Sequence, residues 1–369
     1  MRMNDTILKK ETTDGAAHVT LPPMSSSALE LLNHSFPKIL DLVREKYELE
    51  IKYLGQNFPR EQQRLAEEVH RQFGDLLRAS YEFHLYDQLQ EEFCWYISVF
   101  CSRGFEIDYL DHLLRSWDMA IHSVIKPPEA HELTRPLQVL HQHLTSLYKT
   151  CSIEKVTLPP LIQPFMDHLL AKQRKEATDY ILSLLKEGMT IERLYGDVLT
   201  ASLTALGRLW QKNSINVVDV HVATDICRYI MMRLADALPV SPPLPYKALI
   251  TCVPGEEHEM GAEILENYLE IKGWEVVSMG HIAPEEDILE AIQQSKPDVI
   301  LVSVILTAHL PASRSLLQKI RRLAPGCKLV VGGPAAMLAG EALLPFSDAV
   351  VRTFEEAHTR SLHLLGSHA

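Results

Sequence analysis

The fold is decided by the stretch that runs from Ala248 to Lys272, ALITCVPGEEHEMGAEILENYLEIK. It opens with a short apolar run (248–253), passes through a loop rich in carboxylates, and continues from Met260 with an amphipathic pattern of helical period. These features predict a buried strand, a strand-end loop and a helix. A strand that enters a helix through a short loop is the first half of a βαβ unit.

The same alternation continues to the C-terminus and predicts an α/β domain. Four further β-branched runs are separated by amphipathic stretches. The predicted strands are 248–253, 275–279, 298–304, 328–331 and 349–351, and the predicted helices are 260–272, 285–294, 309–323 and 355–365. Strands that alternate with helices form a parallel sheet covered on both faces. Ligands bind beyond the carboxyl ends of such strands, so the chemistry is expected in the loops that follow them.

The chain before this domain is helical, which adds an all-α part to the α/β class. We expect a flexible arm at 1–27, a separate all-α domain at 28–150 with about five helices, and a second helical segment at 158–240. The proline-rich stretch PVSPPLP at 239–245 predicts a linker before the α/β domain, which we place at 241–369.

Composition excludes several classes of protein. The 369 residues carry 36 Lys and Arg against 48 Asp and Glu, a net charge of −12. Because phosphate binding needs clustered cations, we expect no direct nucleic-acid partner. No apolar run is long enough to span a membrane, and the N-terminus lacks the apolar core of a secretory signal. The six cysteines form no CxxC pair, which predicts reduced thiols and a cytoplasmic location.

The first strand-end loop carries the most informative chemistry. It contains one imidazole, His258, flanked by carboxylates, and a glycine at position 261 where the helix begins. It lacks the GxGxxG and GK[ST] patterns of dinucleotide and nucleoside triphosphate sites. A carboxylate that pairs with a histidine fixes its tautomer and raises its basicity as a metal ligand, and Glu256 stands two residues before His258. The loop therefore predicts a histidine metal ligand supported by Glu256.

Glu256-x-His258-x-x-Gly261 resembles the D/ExHxxG signature of cobalamin-binding domains. This resemblance implies that His258 is the lower axial ligand of cobalt and that the displaced nucleotide tail of cobalamin enters a slot in the sheet. The usual Asp is Glu here, as in the light-sensing branch of the family. The resemblance also implies a flavodoxin-like, five-stranded parallel sheet.

Two further motifs follow in the family order. Ser303-Val304-Ile305-Leu306-Thr307 resembles the SxLLT strand end, and Gly332-Gly333-Pro334 resembles the GG turn against which the tail packs. A glycine after the second strand, Gly280, matches the family glycine beside the corrin amides, and His281 follows it. The resemblance implies that these positions bind the cofactor. They are Ser303, Ile305, Thr307, Gly332, Gly333, Gly280 and His281.

Residues 158–240 resemble the four-helix cap that covers the upper corrin face in CarH-type adenosylcobalamin photoreceptors. Trp210 and His221 match the W-x9-EH pattern whose side chains surround the upper ligand in that family. The family Glu is Val220 here, and Gln211 replaces the His that caps cobalt after photolysis. The resemblance favours adenosylcobalamin and implies that Trp210 and His221 bind it. The departures leave methylcobalamin and hydroxocobalamin open, and predict a photoproduct with water or another histidine on cobalt.

Residues 28–150 match no motif, and they lack the helix-turn-helix opening of the MerR DNA-binding domain that CarH proteins carry. An interaction module, a dimerisation bundle and a second sensory domain all remain open. The eight histidines and the aromatic side chains of this part leave room for a second chromophore, a haem or a bilin. The aromatic candidates are Trp95, Tyr96, Phe100 and Trp117.

The leading hypothesis for function is a cobalamin-binding sensor of light that acts through a protein partner or through its own oligomer, and is not an enzyme. The alternative is a corrinoid carrier of a methyltransferase system, which has the same cap and sheet domain. A mutase subunit is a third hypothesis, but the chain lacks the substrate barrel that such an enzyme needs.

Overall fold

A computed structural model describes residues 21–54, 60–151, 156–239, 241–279 and 283–366. At 51–54 and 60–67 it describes the backbone alone. Its C-terminal part contains a five-stranded parallel sheet in the order β2-β1-β3-β4-β5. The strands are β1 Lys247–Cys252, β2 Glu275–Ser278, β3 Val299–Ser303, β4 Lys328–Gly332 and β5 Ala349–Val351. This order is that of flavodoxin-like folds, in which the order of successive strands reverses between β1 and β3. The predicted sheet is confirmed.

The central strands β1, β3 and β4 are largely apolar because both faces of the sheet are covered there, whereas the edge strand β2 is not buried. Ile250 and its neighbour Leu301 on β3 belong to a core that extends into the preceding helical segment. The alternate residues Leu249 and Ile300 face a second core on the opposite side. Alternate strand residues point to opposite faces of a sheet, so these central strands are buried on both faces.

Helices connect the strands as the sequence predicts, with one addition. A short helix follows β4 at Pro334–Ala339, where no helix was expected. Its first turn begins at a proline directly after the glycine pair, a favourable start for a helix. In chain order the helices of this part, numbered after those upstream, are α11 Met260–Ile271, α12 Glu285–Ser295, α13 Leu310–Leu323, α14 Pro334–Ala339 and α15 Phe354–Leu364.

The segment before the sheet forms the predicted bundle of four helices. The first two are α6 Gln163–Leu170 and α7 Arg174–Lys186; the third comprises α8 Ile191–Arg193, a π-helical stretch Leu194–Thr200 and α9 Ala201–Gln211; the fourth is α10 Val217–Ala237. Between the last two, Asn213 adopts a left-handed conformation with φ of 53°. Asn216 then caps α10, since its side chain accepts from the amide of Asp219 at 3.0 Å.

The N-terminal part consists of five helices in the described residues. They are α1 Ser26–Leu54, α2 Arg60–Glu82, α3 Tyr86–Ser102, α4 Ile107–Val124 and α5 Glu129–Cys151. The aromatic side chains proposed as chromophore contacts lie largely in its core: Tyr96, Phe100 and Trp117 are buried, and Trp117 stacks on Phe36 with ring centroids 6.0 Å apart.

A disulfide joins Cys94 on α3 to Cys151 at the end of α5, with Cα atoms 5.5 Å apart. The expectation that all six thiols are reduced is therefore wrong for this pair. The two cysteines are far apart in sequence, and the packing of α3 beside α5 brings them within the distance that a disulfide spans. The other four remain thiols.

The chain divides into two compact units. Of the described residues, one unit comprises those from 21 to 70 and from 86 to 151, and the other comprises residues 71–85 together with those from 156 to 366. The second unit thus includes the C-terminal end of α2: Ala79 and Phe83 contribute to the core on the α12–α14 side of the sheet. Among the described residues, no helix is long and apolar enough to cross a membrane.

Candidate functional site

The loop after β1 is shaped so that one carboxylate turns inward and one imidazole stays outside. Gly255 has a φ of +84°, a conformation that favours glycine. The amide of Glu256 donates to the carbonyl of Val253 at 3.1 Å, which closes a tight turn. As a result the Glu256 side chain is completely buried, whereas that of His258 is 59% exposed.

Glu256 and His258 form a tightly coupled pair. The carboxylate oxygen Oε1 of Glu256 lies 2.6 Å from Nδ1 of His258 and also accepts from the His258 amide at 3.1 Å. Because an ionised carboxylate only accepts, Nδ1 carries the proton, and Nε2 is the ring nitrogen with a lone pair for a ligand bond. The predicted pairing of these two residues is present in the geometry.

The other carboxylate oxygen of Glu256, Oε2, is held by the segment that follows β3. It accepts from the backbone amides of Ile305 at 3.2 Å and Leu306 at 3.3 Å, and from Nδ1 of His309 at 3.0 Å. Burial alone raises the pKa of Glu256, but the hydrogen bonds from His258 and His309 outweigh it and hold that pKa well below its usual range. Glu256 is therefore a buried, ionised carboxylate, and both of its oxygens accept hydrogen bonds.

The same contact changes the basicity of His258. Its hydrogen bond to Glu256 raises the pKa of His258 above the ordinary histidine value of about 6.5, against the opposing effect of partial burial. A more basic imidazole is a stronger donor to a metal. The site thus provides one accessible, electron-rich nitrogen on a fixed ring.

The helical bundle approaches this loop through α10. Arg228 on α10 bonds both carboxylate oxygens of Glu263 through Nε, at 3.0 and 2.9 Å, and pairs with Glu259, the residue after His258. His221 lies about two turns before Arg228 on the same helix face and is exposed. The helix face that carries His221 is therefore the face that α10 turns toward the His258 loop.

Trp210 stands at the end of α9 and is partly buried. The break at Asn213–Asn216 separates α9 from α10, so Trp210 and His221 lie on adjacent helices, as predicted. Val217 and Val218, in the first turn of α10, are 54% and 58% exposed. The start of α10 thus presents apolar side chains beside an imidazole, which suits a large ligand with apolar and polar parts.

The predicted tail-binding positions fall at the carboxyl ends of β1, β3 and β4. Ser303 ends β3 next to Cys252 at the end of β1, and the buried Thr307 begins a short 3-10 turn. Of the SxLLT-like segment, it is the backbone at Ile305 and Leu306 that supports Glu256. Gly280 and His281 lie outside the described residues.

The three described glycines of the motifs differ in what surrounds them. Gly333 has a φ of +103°, and a Cβ there would lie 2.4 Å from the carbonyl oxygen of Val304. A side chain at Gly333 would therefore collide with the protein itself, whatever the ligand. A Cβ at Gly261 would have Cδ1 of Ile305 as its closest neighbour, at 4.0 Å, so this position has room next to the His258 loop. Gly332 is intermediate, with Val351 at 3.5 Å.

Two residues of the site were missed by the sequence analysis. His309 stands two positions after the SxLLT-like segment and belongs to no motif, although it lies just beyond the carboxyl end of a strand. Arg228 looked like one of many charged residues on a helix. Both are recognisable only once the sheet order and the packing of α10 are known.

The residues present fit a cobalamin on this edge of the sheet. A corrin ring supplies four nitrogens to cobalt, so the protein has to supply one lower ligand, and His258 with its Glu256 partner is such a group. The apolar start of α10 gives a surface for the other side of the ring. The nitrogen donor of His258 and the apolar side chains of α10 therefore both suit a corrin.

Comparison with known families gives the same result independently. Residues 246–361 match the family model described as a B12 binding domain, and residues 161–235 match a second model with the same description. Both segments are B12-binding domains. The first of these domains contains the sheet and His258, and the second corresponds to the helical cap α6–α10.

Parts of the chain are similar to transcriptional repressors and to corrinoid proteins. The HTH-type transcriptional repressors CarA and CarH of Myxococcus xanthus are 31% and 27% identical, over 33% and 39% of this chain and 42% and 48% of their own. The chain thus spans less than half of either repressor. Dimethylamine corrinoid protein 3 of Methanosarcina acetivorans is 24% identical over 44% of this chain and 84% of its own.

Among solved structures, the monomethylamine corrinoid protein of Methanosarcina barkeri aligns with a TM-score of 0.48 at 15% identity, over 55% of this chain and 98% of its own.

Proposed function

We propose that this cobalamin-binding protein is a sensory or regulatory protein, that its cofactor is adenosylcobalamin, and that light is its signal. One observation carries the proposal. The cap helix α10, which bears His221, is tied by Arg228 to Glu259, the neighbour of His258. The side chains proposed for the upper face and the lower cobalt ligand are therefore parts of one connected structure, which is what a sensor of the upper ligand requires.

Each side chain has a definite task in this proposal. His258 supplies the lower nitrogen to cobalt, and Glu256 holds its ring in one tautomer. Trp210 packs against the upper ligand beside His221. The remaining positions after the strands receive the tail and the corrin amides. They are Gly261, Gly280, His281, Ser303, Ile305, Thr307, Gly332 and Gly333.

The signal comes from the cofactor and the response from the chain. Bound adenosylcobalamin supplies a cobalt–carbon bond that visible light breaks. Trp210 then loses the group against which it packs, so the cap helices α9 and α10 are released to shift. Gln211 has no imidazole to offer in place of the lost group, so that role would fall to water or to another histidine. The shift alters the surface offered to a protein partner or a second copy of the chain.

The N-terminal helices favour a regulatory role. The corrinoid protein is matched over 84% of its length by under half of this chain, so residues 28–150 lie beyond what a carrier of that size needs. Two of the relatives are transcriptional repressors. We propose residues 28–150 as an interaction or sensory domain, 158–240 as the cap and 241–369 as the cobalamin domain. A haem or a bilin bound within residues 28–150 would have to displace the buried side chains of Tyr96, Phe100 and Trp117 from their packing.

The alternative function is a methyl-carrying corrinoid protein. The similarity to a dimethylamine corrinoid protein favours it, since the match covers 84% of the length of that protein. In that case the chain is a substrate-carrying subunit and not itself a catalyst. The cap then opens to a methyltransferase and not in response to light.

The experiment that separates these functions is illumination of the loaded protein. The full chain is reconstituted with adenosylcobalamin in the dark, and absorption spectra and size-exclusion profiles are recorded before and after green light. We expect photolysis faster than that of free adenosylcobalamin and a change in hydrodynamic size or partner binding. Photolysis at the rate of the free cofactor, with no change in size, contradicts the sensor and favours the carrier.

A conservative variant sharpens the result. Trp210→Phe keeps an apolar ring but reduces its contact area with the upper ligand. We expect the variant to bind cobalamin through His258 with an unchanged lower-ligand spectrum, and to show a smaller light-induced shift in size. An equal shift in the variant and the parent contradicts the role of Trp210 in the response.

A further inference from the structure

The carboxylate of Glu256 binds two imidazoles. Its Oε1 is occupied by His258 at 2.6 Å, and its Oε2 accepts from Nδ1 of His309 at 3.0 Å. The two histidines are 51 residues apart in sequence and meet because β1 and β3 are adjacent in the sheet. His258 is 59% exposed, whereas His309 is only 21% exposed. The first is open to a ligand and the second is built into the protein.

His309 stands on a rigid support. It ends the short turn Thr307–His309, and α13 begins at the next residue with the fully buried Leu310. Leu310 belongs to the same core as Ala79 and Phe83 of the segment 71–85. This packing fixes the backbone at His309 and so limits where its ring can lie.

The buried position of Glu256 makes the contribution of His309 necessary. A carboxylate without solvent is costly unless its lone pairs are satisfied. On Oε2 the imidazole of His309 is the shortest contact, since the amides of Ile305 and Leu306 are at 3.2 and 3.3 Å. Without His309, Oε2 keeps only the two longer amide contacts, so the carboxylate is less firmly oriented toward His258.

We propose that His309 is a positioning residue for the cobalt ligand, because its hydrogen bond to Oε2 holds Glu256 in the orientation in which Oε1 accepts from Nδ1 of His258. The part of this proposal that concerns cobalt rests on the proposed cobalamin site. The part that concerns the three side chains is a property of the apoprotein. Replacing a group that orients a metal ligand in this way typically costs about 10- to 100-fold in metal affinity.

The first test needs neither cofactor nor variant. Nitrogen-15 NMR of the apoprotein reports which ring nitrogen of each histidine is protonated. We expect protons on Nδ1 of both His258 and His309, since both donate to Glu256. A His309 ring protonated on Nε2 alone cannot donate from Nδ1, and that result overturns the proposal even if cobalamin binding itself fails.

The second test uses two substitutions and a matched control. His309→Leu removes the donor, His309→Gln keeps a side-chain N–H that can reach Oε2, and His363→Leu changes an exposed histidine on α15. The readouts are the tautomer of His258 in the apoprotein, the cobalamin dissociation constant, and the nitrogen splitting from His258 in the electron paramagnetic resonance spectrum of the Co(II) form.

We expect His309→Leu to mix the tautomers of His258, to weaken cobalamin binding about tenfold and to reduce the nitrogen splitting. His309→Gln should keep most of the parent's tautomer preference, cobalamin affinity and nitrogen splitting, and His363→Leu should change none of these three. If His309→Leu does not fold, folded His309→Gln still tests the proposal, because mixed tautomers of His258 in a variant that keeps a side-chain donor contradict it. Parent-like affinity, tautomer and splitting in folded His309→Leu overturn the proposal.

Discussion

Two histidines in different parts of the molecule show how environment decides what an imidazole does. His70 lies in the core of the N-terminal helices and is 2% exposed, whereas His258 lies on a strand-end loop beside a buried carboxylate. The ring of Tyr47 packs on His70 with centroids 4.8 Å apart, and the hydroxyl of Tyr109 is 3.5 Å from its Nε2. His70 has aromatic neighbours where His258 has Glu256.

The consequence is a pair of opposite pKa shifts. Burial, assisted by the nearby charge of Lys46, lowers the pKa of His70 to about 4. The hydrogen bond that His258 donates to Glu256 raises the pKa of His258. His70 therefore remains neutral and structural, while His258 is the more basic imidazole that we propose as the cobalt ligand. Histidine content alone predicts neither role, because the nearest charge and the degree of burial determine both.

The largest expected effect is the loss of cobalt ligation in His258→Ala. The variant removes the lower nitrogen donor, so cobalamin binding weakens by more than the roughly 100-fold upper range for residues that support a ligand. Absorption and electron paramagnetic resonance spectra of the bound Co(II) form should lose the signature of a nitrogen ligand. His70→Phe is the matched histidine variant and should keep both the affinity and the spectrum. A nitrogen-ligated spectrum in His258→Ala contradicts the assignment of the ligand.

The next effect concerns acid stability and tests His70. A histidine with a folded pKa of about 4 and an unfolded pKa of about 6.5 binds fewer protons when folded. Its stabilising contribution is complete above the unfolded value and is lost as the pH falls, by about 3 kcal/mol at pH 4. Urea unfolding at several pH values should show a smaller acid loss for His70→Phe than for the parent.

His258 gives the opposite sign in the same measurement on the apoprotein. Because its folded pKa is raised, its contribution is complete below about pH 6.5 and is lost as the pH rises through the folded value. His258→Ala should therefore remove stability mainly on the acid side of neutrality. Equal pH profiles for the parent and the two variants would mean that the contrast between the two sites has no thermodynamic basis.

The sequence predicts the elements and the motif loop of this site well. Strand and helix bounds in the α/β domain follow from short apolar runs and amphipathic periods, and the pairing of Glu256 with His258 spans only two residues. Local features of this kind are visible in a sequence because the residues that interact are neighbours. The break at Asn213–Asn216 is a further example, since the capping residue Asn216 is itself the signal.

Contacts between distant segments could not be predicted in this way. His309 reaches Glu256 only because β3 lies next to β1, and Cys94 meets Cys151 only because α3 packs beside α5. The segment 71–85 looks like any part of an all-α domain, yet its residues Ala79 and Phe83 complete a core against the sheet. Gly333 belongs to a motif that predicts a ligand slot. A Cβ at Gly333 would collide with the backbone of Val304, so the protein itself excludes a side chain there.

The smallest expected effect concerns the link between the cap and the loop of His258. Arg228 is 35% exposed and pairs with Glu259 and Glu263. Exposed ion pairs contribute up to about 1 kcal/mol, so Arg228→Gln should lower the free energy of unfolding by no more than about that amount. Arg321→Gln is the matched control, because Arg321 is 34% exposed and pairs with Asp348 at 3.0 Å, away from the loop.

The two arginine variants should differ in cofactor release and not in stability. If Arg228 keeps α10 attached to the loop that carries His258, cobalamin should leave Arg228→Gln about fivefold faster than it leaves the parent, the equivalent of about 1 kcal/mol. Arg321→Gln should release it at the parent rate. Dissociation is followed by the change in absorption after dilution into a cobalamin-binding competitor. Equal release rates for both variants would show that Arg228 stabilises the fold without coupling the cap to the ligand, and the connection between the upper and lower faces would then have to run through the core that α10 shares with the sheet.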